Sequence, residues 1–233
     1  MGKIDVSALE SAKVISGPRT LFSGAFILEF LEPPPPLKAT YAFQIRPRAT
    51  LILGLLESNL IIVSSCAHLH FAQSETFFVV QGKVGTTDGY EAQDRMWTSA
   101  NTPQEIVPWR PHTFWPCGEE DVEDTVLYVW AHPDSVSSPM DRLFFENLLQ
   151  YVSDIHEKKA KMDMIQIMVT QHASDTAMVM FPRAFWLGPL RWWVPWKLQA
   201  TVAAVGRLMG YRALMERYTE KEEWETYLHA KRA

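Results

Sequence analysis

Apolar positions along the chain change their spacing near Pro139. From Leu21 to His132 the apolar runs are short, rich in β-branched and aromatic residues, and separated by turn-forming residues. Five such runs cover residues 25–30, 40–45, 60–63, 76–80 and 125–130. Many short strands divided by frequent turns predict an antiparallel β-barrel or sandwich.

Beyond Pro139 the apolar residues recur with the period of an α-helix. The first helical stripe consists of Leu143, Phe144, Leu148 and Tyr151. Further helices are predicted over 162–171 and 197–218. Between them, the segment 181–196 holds four tryptophans among prolines and arginines, and these interruptions predict an irregular element.

A short helix is predicted near the start, where Ser7 and Glu10 have the spacing of a capping box. We therefore expect a mainly β protein in three parts. These are an N-terminal helical segment (1–20), a β-barrel (21–138) and a C-terminal helical extension (139–233).

Composition narrows the class of protein. The 233 residues are 47% hydrophobic and 21% charged, which excludes a disordered chain because enough apolar surface can be buried. The 22 basic and 27 acidic residues, with no long basic run, argue against a nucleic-acid partner. No stretch of 18 uninterrupted apolar residues exists, so no transmembrane segment is expected.

Cysteine usage and the start of the chain predict a location. Cys66 and Cys117 are too few for a disulfide framework, and the polar start 1–13 is not followed by an apolar signal segment. We expect a cytoplasmic protein.

Two histidines on a predicted strand carry the clearest chemistry. Alternate strand residues point to the same face, so His68 and His70 present both imidazoles to one point. Glu75 follows a short turn, and His112 supplies a further imidazole. This set suits a divalent transition metal, with Fe, Zn, Mn, Ni and Cu all open. The alternative is a metal-free barrel with hydrogen-bonded strand histidines.

These residues resemble the first motif of the cupins, GxxxxxHxHxxxxExxxxxxG. The residues that match it are His68, His70, Glu75 and Gly82, whereas Ile62 replaces the opening glycine. The second motif, GxxxxxPxGxxHxxxN, keeps His112, Pro108 and Pro111. It is changed at Asn101, Val107, Trp109 and Pro116, which replace its Gly, Pro, Gly and Asn. The resemblance covers 21–132 and implies a single antiparallel jelly-roll barrel, often dimeric, with metal ligands His68, His70, Glu75 and His112.

Residues of the same strand parity predict what lines the barrel. Phe77 and Gln81 follow Glu75, Phe114 follows His112, and Trp130 lies on the last strand. We expect these four to contact a small, partly aromatic substrate, with core packing as the alternative. The predicted catalytic residues are Glu75, which can accept a proton, and His112.

The tryptophan-rich segment leaves two roles open: to cover the open end of the barrel, which we favour, or to contact a membrane surface. The extension is similar to cupins of fungal natural-product gene clusters in the run Phe144-Phe145-Glu146-Asn147-Leu148 and in the ending 210–218.

The cupin resemblance does not choose a reaction. We expect a metal-dependent enzyme that cyclises, dehydrates or isomerises a polyketide-like or other natural product by Lewis-acid chemistry. The alternatives are an O2-dependent iron or copper oxygenase, a binding protein without turnover, and a scaffold that uses the tryptophan-rich tail.

Overall fold

The computed structural model describes residues 7–47, 67–116, 124–179 and 183–230. Its strands are β1 (Val14–Leu21), β2 (Phe26–Leu31), β3 (Tyr41–Pro47), β4 (His68–His70), β5 (Ser74–Gln81), β6 (Val84–Asp88), β7 (Gln93–Trp97), β8 (Gln104–Ile106), β9 (His112–Pro116), β10 (Val126–His132) and β11 (Thr176–Met178). Its α-helices are α1 (Ser7–Glu10), α2 (Arg142–His156), α3 (Met164–His172), α4 (Leu190–Leu208) and α5 (Lys221–Ala230). Short 3-10 turns lie at Phe22–Gly24, Pro35–Leu37, Phe185–Leu187 and Glu216–Tyr218.

The strands form two antiparallel sheets. One has six strands in the order β1-β2-β3-β10-β5-β8, and the other has five in the order β11-β4-β9-β6-β7. A single apolar cluster joins them, because Phe43 and Phe77 of the first sheet and Val84 and Trp97 of the second pack in it together. The predicted mainly β, antiparallel class with C-terminal helices is confirmed.

Alternate residues of strand β10 point to opposite faces of the sheet and lie in two different apolar clusters. Leu127 and Val129 lie in the cluster shared by the sheets, whereas Tyr128 and Trp130 lie in a second cluster with Leu9. The register explains this division, because Trp130 lies opposite Thr76 while the next residue lies opposite Glu75. Trp130 is therefore on the other face of the sheet from Glu75, so the structure does not place this predicted substrate contact beside the candidate site.

Helix α2 packs its apolar stripe into the apolar cluster that the two sheets share. This helix of the C-terminal extension therefore covers part of that cluster. The Asp141 carboxylate caps its start by accepting from the backbone N–H of Phe144 at 2.8 Å. Buried Glu146 accepts from Arg142 at 2.8 Å and from Arg19 of β1 at 3.3 Å. These contacts fix α2 against the first sheet.

The ends of the chain differ from the sequence prediction. The segment 1–20 is predicted to be helical, but within its described part, residues 7–20, the helix is limited to Ser7–Glu10, and Val14–Leu21 pairs with β2 as a strand. The segment 181–196 was expected to be irregular, but helix α4 begins at Leu190 and contains Pro195. A proline in the second turn removes one backbone hydrogen bond, which the packing of the helix offsets. The limits of the three predicted parts stay a prediction.

Helix α4 covers the outside of the second sheet. Trp192 and Trp196 pack on Leu69 of β4 and Ala177 of β11, so this helix lies behind the strand that carries the two histidines. Of the helices in the described part of the chain, none combines the length and apolar character needed to cross a membrane. The predicted run 60–63, Ile62 and both cysteines lie outside the described residues.

Candidate metal centre

Four side chains converge from the two sheets. His68 and His70 come from β4 and His112 from β9 in one sheet, whereas Glu75 comes from β5 in the other. One potential ligand atom from each residue lies within 4.8 Å of the others. Glu75, His70 and His112 are each 4% exposed or less. The group that the motif spacing indicates is thus brought together in a largely buried position.

Strand pairing places the three imidazoles side by side. His68 lies directly opposite His112 in the register of β4 and β9, and their ring centroids are 4.4 Å apart. The centroids of His68 and His70 are 4.8 Å apart, as alternation along one strand requires. The edge strand β11 supports β4 on its other side.

The corner that carries the chain from β4 to β5 is held by Gln73. Its buried amide donates to the Thr40 hydroxyl and to the Pro133 carbonyl, both at 2.9 Å, and accepts from the backbone N–H of Met140 at 2.7 Å. These contacts fix where Glu75 enters the opposite sheet. No sequence pattern marks Gln73, because its partners are distant in the chain.

His112 is oriented from behind by a backbone carbonyl. Its Nδ1 lies 3.0 Å from the carbonyl oxygen of Arg110, which can only accept, so Nδ1 carries the hydrogen. Its Nε2 points to the Glu75 Oε2 at 3.0 Å. Two donor atoms at right angles on a metal with bonds of about 2.1 Å lie about 3.0 Å apart, so this pair fits neighbouring positions on one ion.

His70 gives a second test of the fit. It is 4% exposed, and among the described residues neither of its ring nitrogens has a hydrogen-bond partner. Its Nε2 lies 3.8 Å from the Glu75 Oε2, too far for a hydrogen bond. A buried polar atom without a partner costs free energy, and a metal ion would supply that partner. The residues therefore fit a bound divalent metal.

The electrostatics favour the ligand forms of two of these groups. Burial lowers the pKa of His70, which keeps the imidazole neutral. Burial would raise the pKa of Glu75, but its contacts with His112 and His70 outweigh this and hold the pKa well below its usual range. A neutral imidazole and a carboxylate are the forms that bind a metal.

Aromatic side chains line the interior beside the ligands. The fully buried Phe77 packs edge-on against Phe114 at 5.1 Å and Trp97 at 5.7 Å between ring centroids. Phe114 in turn lies 6.0 Å from the His112 ring. Trp97 was not identified from the sequence, because its strand carries no motif. Gln81, predicted to bind substrate, is exposed at the end of β5 and does not lie in this wall.

A buried carboxylate lies next to His112. Asp88 of β6 is directly opposite His112 in the strand register and is 3% exposed. Its Oδ2 accepts from Arg110 at 3.1 Å, and its Oδ1 lies 3.6 Å from the Nε of Arg95. No sequence motif marks Asp88, although the pairing of β6 with β9 makes it a neighbour of the candidate ligands.

Two glycine positions of the cupin motifs are explained by backbone conformation. Gly82 has a φ of +74°, and a Cβ there would lie 2.8 Å from the Thr125 hydroxyl. Trp109 occupies a motif glycine position and also adopts a positive φ, +67°. Its backbone N–H donates to the carbonyl of His70 at 2.7 Å, so the turn before His112 is tied to β4.

Several fungal proteins are similar in sequence over most of the chain. A probable oxidoreductase of Penicillium expansum is 27% identical over 219 residues, which cover 88% of this chain and 62% of that protein. An oxidoreductase of Arthrobotrys oligospora is 24% identical, with 89% and 78% covered. An epoxidase of Aspergillus terreus is 27% identical, with 88% and 63% covered. The chain thus spans about 62% of the length of the Penicillium relative.

No protein family model matches the chain. Among solved structures it is similar to the Cupin_2 domain of a transcriptional regulator from Enterobacter cloacae, with 12% identity, a TM-score of 0.31, and 46% of this chain and 96% of that one covered. The hydroxypropylphosphonic acid epoxidase of S. wedmorenis, 12% identical, has a TM-score of 0.34, with 52% and 59% covered. At these scores the architecture rests on the strand pairing of this chain alone.

The motif spacing and the antiparallel sheets that bring the motif residues together agree with each other. The chain resembles the cupins in these two respects, and its sequence is similar to fungal proteins named as oxidoreductases.

Proposed function

We propose that the protein is a metal-dependent oxidoreductase that acts on a small, partly apolar organic compound. The observation that carries this proposal is the buried convergence of three imidazoles and one carboxylate, in which His70 lacks any other partner among the described residues. The names of the fungal relatives, oxidoreductase and epoxidase, support a redox reaction. They outweigh the preference for non-redox chemistry that the sequence alone suggested.

The four residues would hold the metal as ligands, namely His68, His70, Glu75 and His112. When bound, iron or copper would supply electron exchange between the substrate and an oxidant such as O2. Phe77 and Phe114 would bind the apolar part of the substrate and exclude water. Glu75 would accept a proton from the substrate, and the Arg110 carbonyl would keep His112 in the ligand tautomer.

A second candidate is non-redox chemistry at the same residues. The buried carboxylate of Glu75 favours it, because a carboxylate in a water-poor site can accept a proton from a substrate without any electron transfer. With zinc, manganese or nickel as a Lewis acid, the same site would cyclise, dehydrate or isomerise a hydroxylated carbonyl compound such as a polyketide.

The test begins with metal analysis of the full chain, purified without chelators under low oxygen. The protein is then loaded separately with Fe(II), Cu(II) and Zn(II) and incubated with a panel of hydroxylated aromatic carbonyl compounds, with and without O2. Mass spectrometry separates the reactions, because oxidation adds oxygen or removes hydrogen, dehydration removes water and isomerisation leaves the mass unchanged. Oxidation that needs iron or copper is the expected result.

Two variants control the assignment. His112→Ala removes a ligand and should lower both metal content and turnover, whereas His229→Ala, exposed on α5, should change neither. Turnover with zinc and without O2 would favour the Lewis-acid reaction. Tight ligand binding without turnover under every metal would indicate a binding protein, and full metal content in His112→Ala would remove the proposed site.

A further inference from the structure

One face of helix α4 is apolar and exposed. The buried face consists of Arg191, Pro195, Gln199, Ala203 and Gly206. The opposite face carries large apolar side chains that are about half exposed or more, namely Leu190, Trp193, Val194, Leu198, Val205 and Leu208. A helix that is apolar all round is normally covered all round, and here the described residues cover only one face.

The apolar surface extends beyond the start of the helix. In the turn Phe185–Leu187, Phe185 is 54% exposed and Trp186 is 85% exposed. Leu208, at the other end of α4, is 90% exposed. The 19 residues of α4 span about 28 Å, and the exposed apolar side chains lie in a strip along one side of the helix over this length, with Thr201 and Ala204 between Leu198 and Val205. We call this strip, from Phe185 to Leu208, the tryptophan face.

The charge of this segment is opposite to that of the whole chain. Between Asp175 and Glu216 there is no acidic residue, whereas there are five basic ones. Arg183 pairs with Asp94 at 2.7 Å and Arg191 is buried, whereas Lys197, Arg207 and Arg212 are exposed. The whole chain has a net charge of −5. Lys197 is exposed on the tryptophan face, where its ammonium lies 4.0 Å from the Trp196 ring centroid and 5.7 Å from that of Trp193.

We propose that the tryptophan face docks the protein onto an anionic phospholipid membrane surface. Tryptophans favour the boundary between acyl chains and headgroups, and a helix covered by protein on one side can lie in that plane with its other side in lipid. Lys197 and Arg207 then meet the negative headgroups, each strengthening the attraction. The helix lies on the bilayer and does not cross it.

The charges also argue against a second copy of the chain on this face. A two-fold contact along α4 would place two strips that carry only basic charges against each other. Like charges in an apolar contact repel, whereas an anionic membrane neutralises them. Charge complementarity therefore selects the lipid surface as the occupant.

Vesicle co-sedimentation of the full chain tests the proposal. Wild-type protein should bind vesicles of phosphatidylcholine with about one third phosphatidylserine, and on the order of tenfold more weakly vesicles of phosphatidylcholine alone. Trp186→Ser with Leu208→Ser removes the two most exposed apolar side chains and should weaken binding by about tenfold or more. Lys197→Glu with Arg207→Glu should weaken binding to the anionic vesicles only.

A matched control alters exposed apolar residues elsewhere. Ile15→Ser with Met162→Ser replaces side chains that are 46% and 45% exposed and should leave vesicle binding unchanged. Circular dichroism checks that each variant keeps the wild-type fold. No binding by wild-type protein, equal binding to both kinds of vesicle, or unchanged binding by the Trp186 and Leu208 variant would each overturn the proposal. So would a wild-type dimer that this variant converts to monomer in sedimentation velocity, because the face would then bind a second copy.

Discussion

His112 Nε2 lies 3.0 Å from Glu75 Oε2, while His112 Nδ1 lies 3.0 Å from the Arg110 carbonyl oxygen. Both oxygens are acceptors, because the lowered pKa of Glu75 keeps it ionised. Each contact therefore needs a hydrogen on the ring nitrogen that makes it. In the contact with Glu75, a bound cation can replace the hydrogen on Nε2. A metal ion bound by Glu75 and His112 would displace that proton.

Metal affinity should depend on the Glu75 carboxylate. In Glu75→Gln a neutral amide replaces the charged ligand, and we expect Zn(II) to bind at least about tenfold more weakly than to wild type. Isothermal titration of the metal-free proteins with Zn(II) measures both affinities. Equal affinities would contradict the role of Glu75 as a ligand.

Replacing the His70 imidazole should separate stability from metal binding. In His70→Leu an apolar side chain of similar size replaces a buried ring without hydrogen bonds, which is favourable, but the contact with Glu75 at 3.8 Å is lost. The two effects oppose each other, so the free energy of unfolding of the metal-free protein should change by less than about 1 kcal/mol. Its metal content should fall well below that of wild type. Urea unfolding and metal analysis measure the two effects.

Leu69 on the same strand provides the control for His70. It is fully buried on the opposite face, under α4, and Leu69→Ala should cost about 3 kcal/mol of unfolding free energy through the cavity it leaves. If His70→Leu destabilised the metal-free protein as strongly as Leu69→Ala, the imidazole would have a structural partner instead of a metal.

The motif glycine at Gly82 should be intolerant of a side chain. Its φ of +74° disfavours any Cβ, and the added methyl group would meet both the hydroxyl and the Cα of Thr125 within about 3 Å. We expect Gly82→Ala to cost about 2 to 3 kcal/mol. Gly210→Ala is the matched control, because Gly210 also has a positive φ but has no atom within 4 Å of an added Cβ. Equal losses in urea unfolding would exclude the clash with Thr125.

Gln199 should hold the edge of the second sheet. It is fully buried on α4, donates to the Thr176 carbonyl at 2.6 Å and accepts from the Met178 N–H at 3.4 Å. Gln199→Leu leaves both backbone groups of β11 buried and unpaired and should cost about 3 kcal/mol. Gln150→Ala removes a half-buried glutamine that bonds only within its own helix and should cost less than about 0.5 kcal/mol. A similar small loss in Gln199→Leu would mean that β11 does not depend on α4.

Local spacing along β4, together with the match to the cupin motifs, was enough to predict which four residues converge. Alternation along β4 places His68 and His70 on one face whatever surrounds the strand, and the same alternation correctly linked Phe77 to Glu75. The mainly β class and the helical stripe of α2 also follow from local periodicity, because each depends only on residues close in the chain.

Contacts between distant residues had to come from the tertiary structure. The register of β10 with β5 decides the face of the sheet on which Trp130 lies. Gln81 is exposed at the end of β5, as its last residue. The strand β1, the edge strand β11 and the helical conformation around Pro195 are each stabilised by packing that local patterns do not encode.

The sequence by itself therefore determined which residues form the candidate metal centre: strand alternation pairs His68 with His70, and the resemblance to the cupin motifs adds Glu75 and His112. Only the tertiary structure decided that the carboxylate comes from the opposite sheet, that Arg110 orients His112, and that Asp88 lies beside it. Those relationships depend on strand order and register, and long-range pairing sets both.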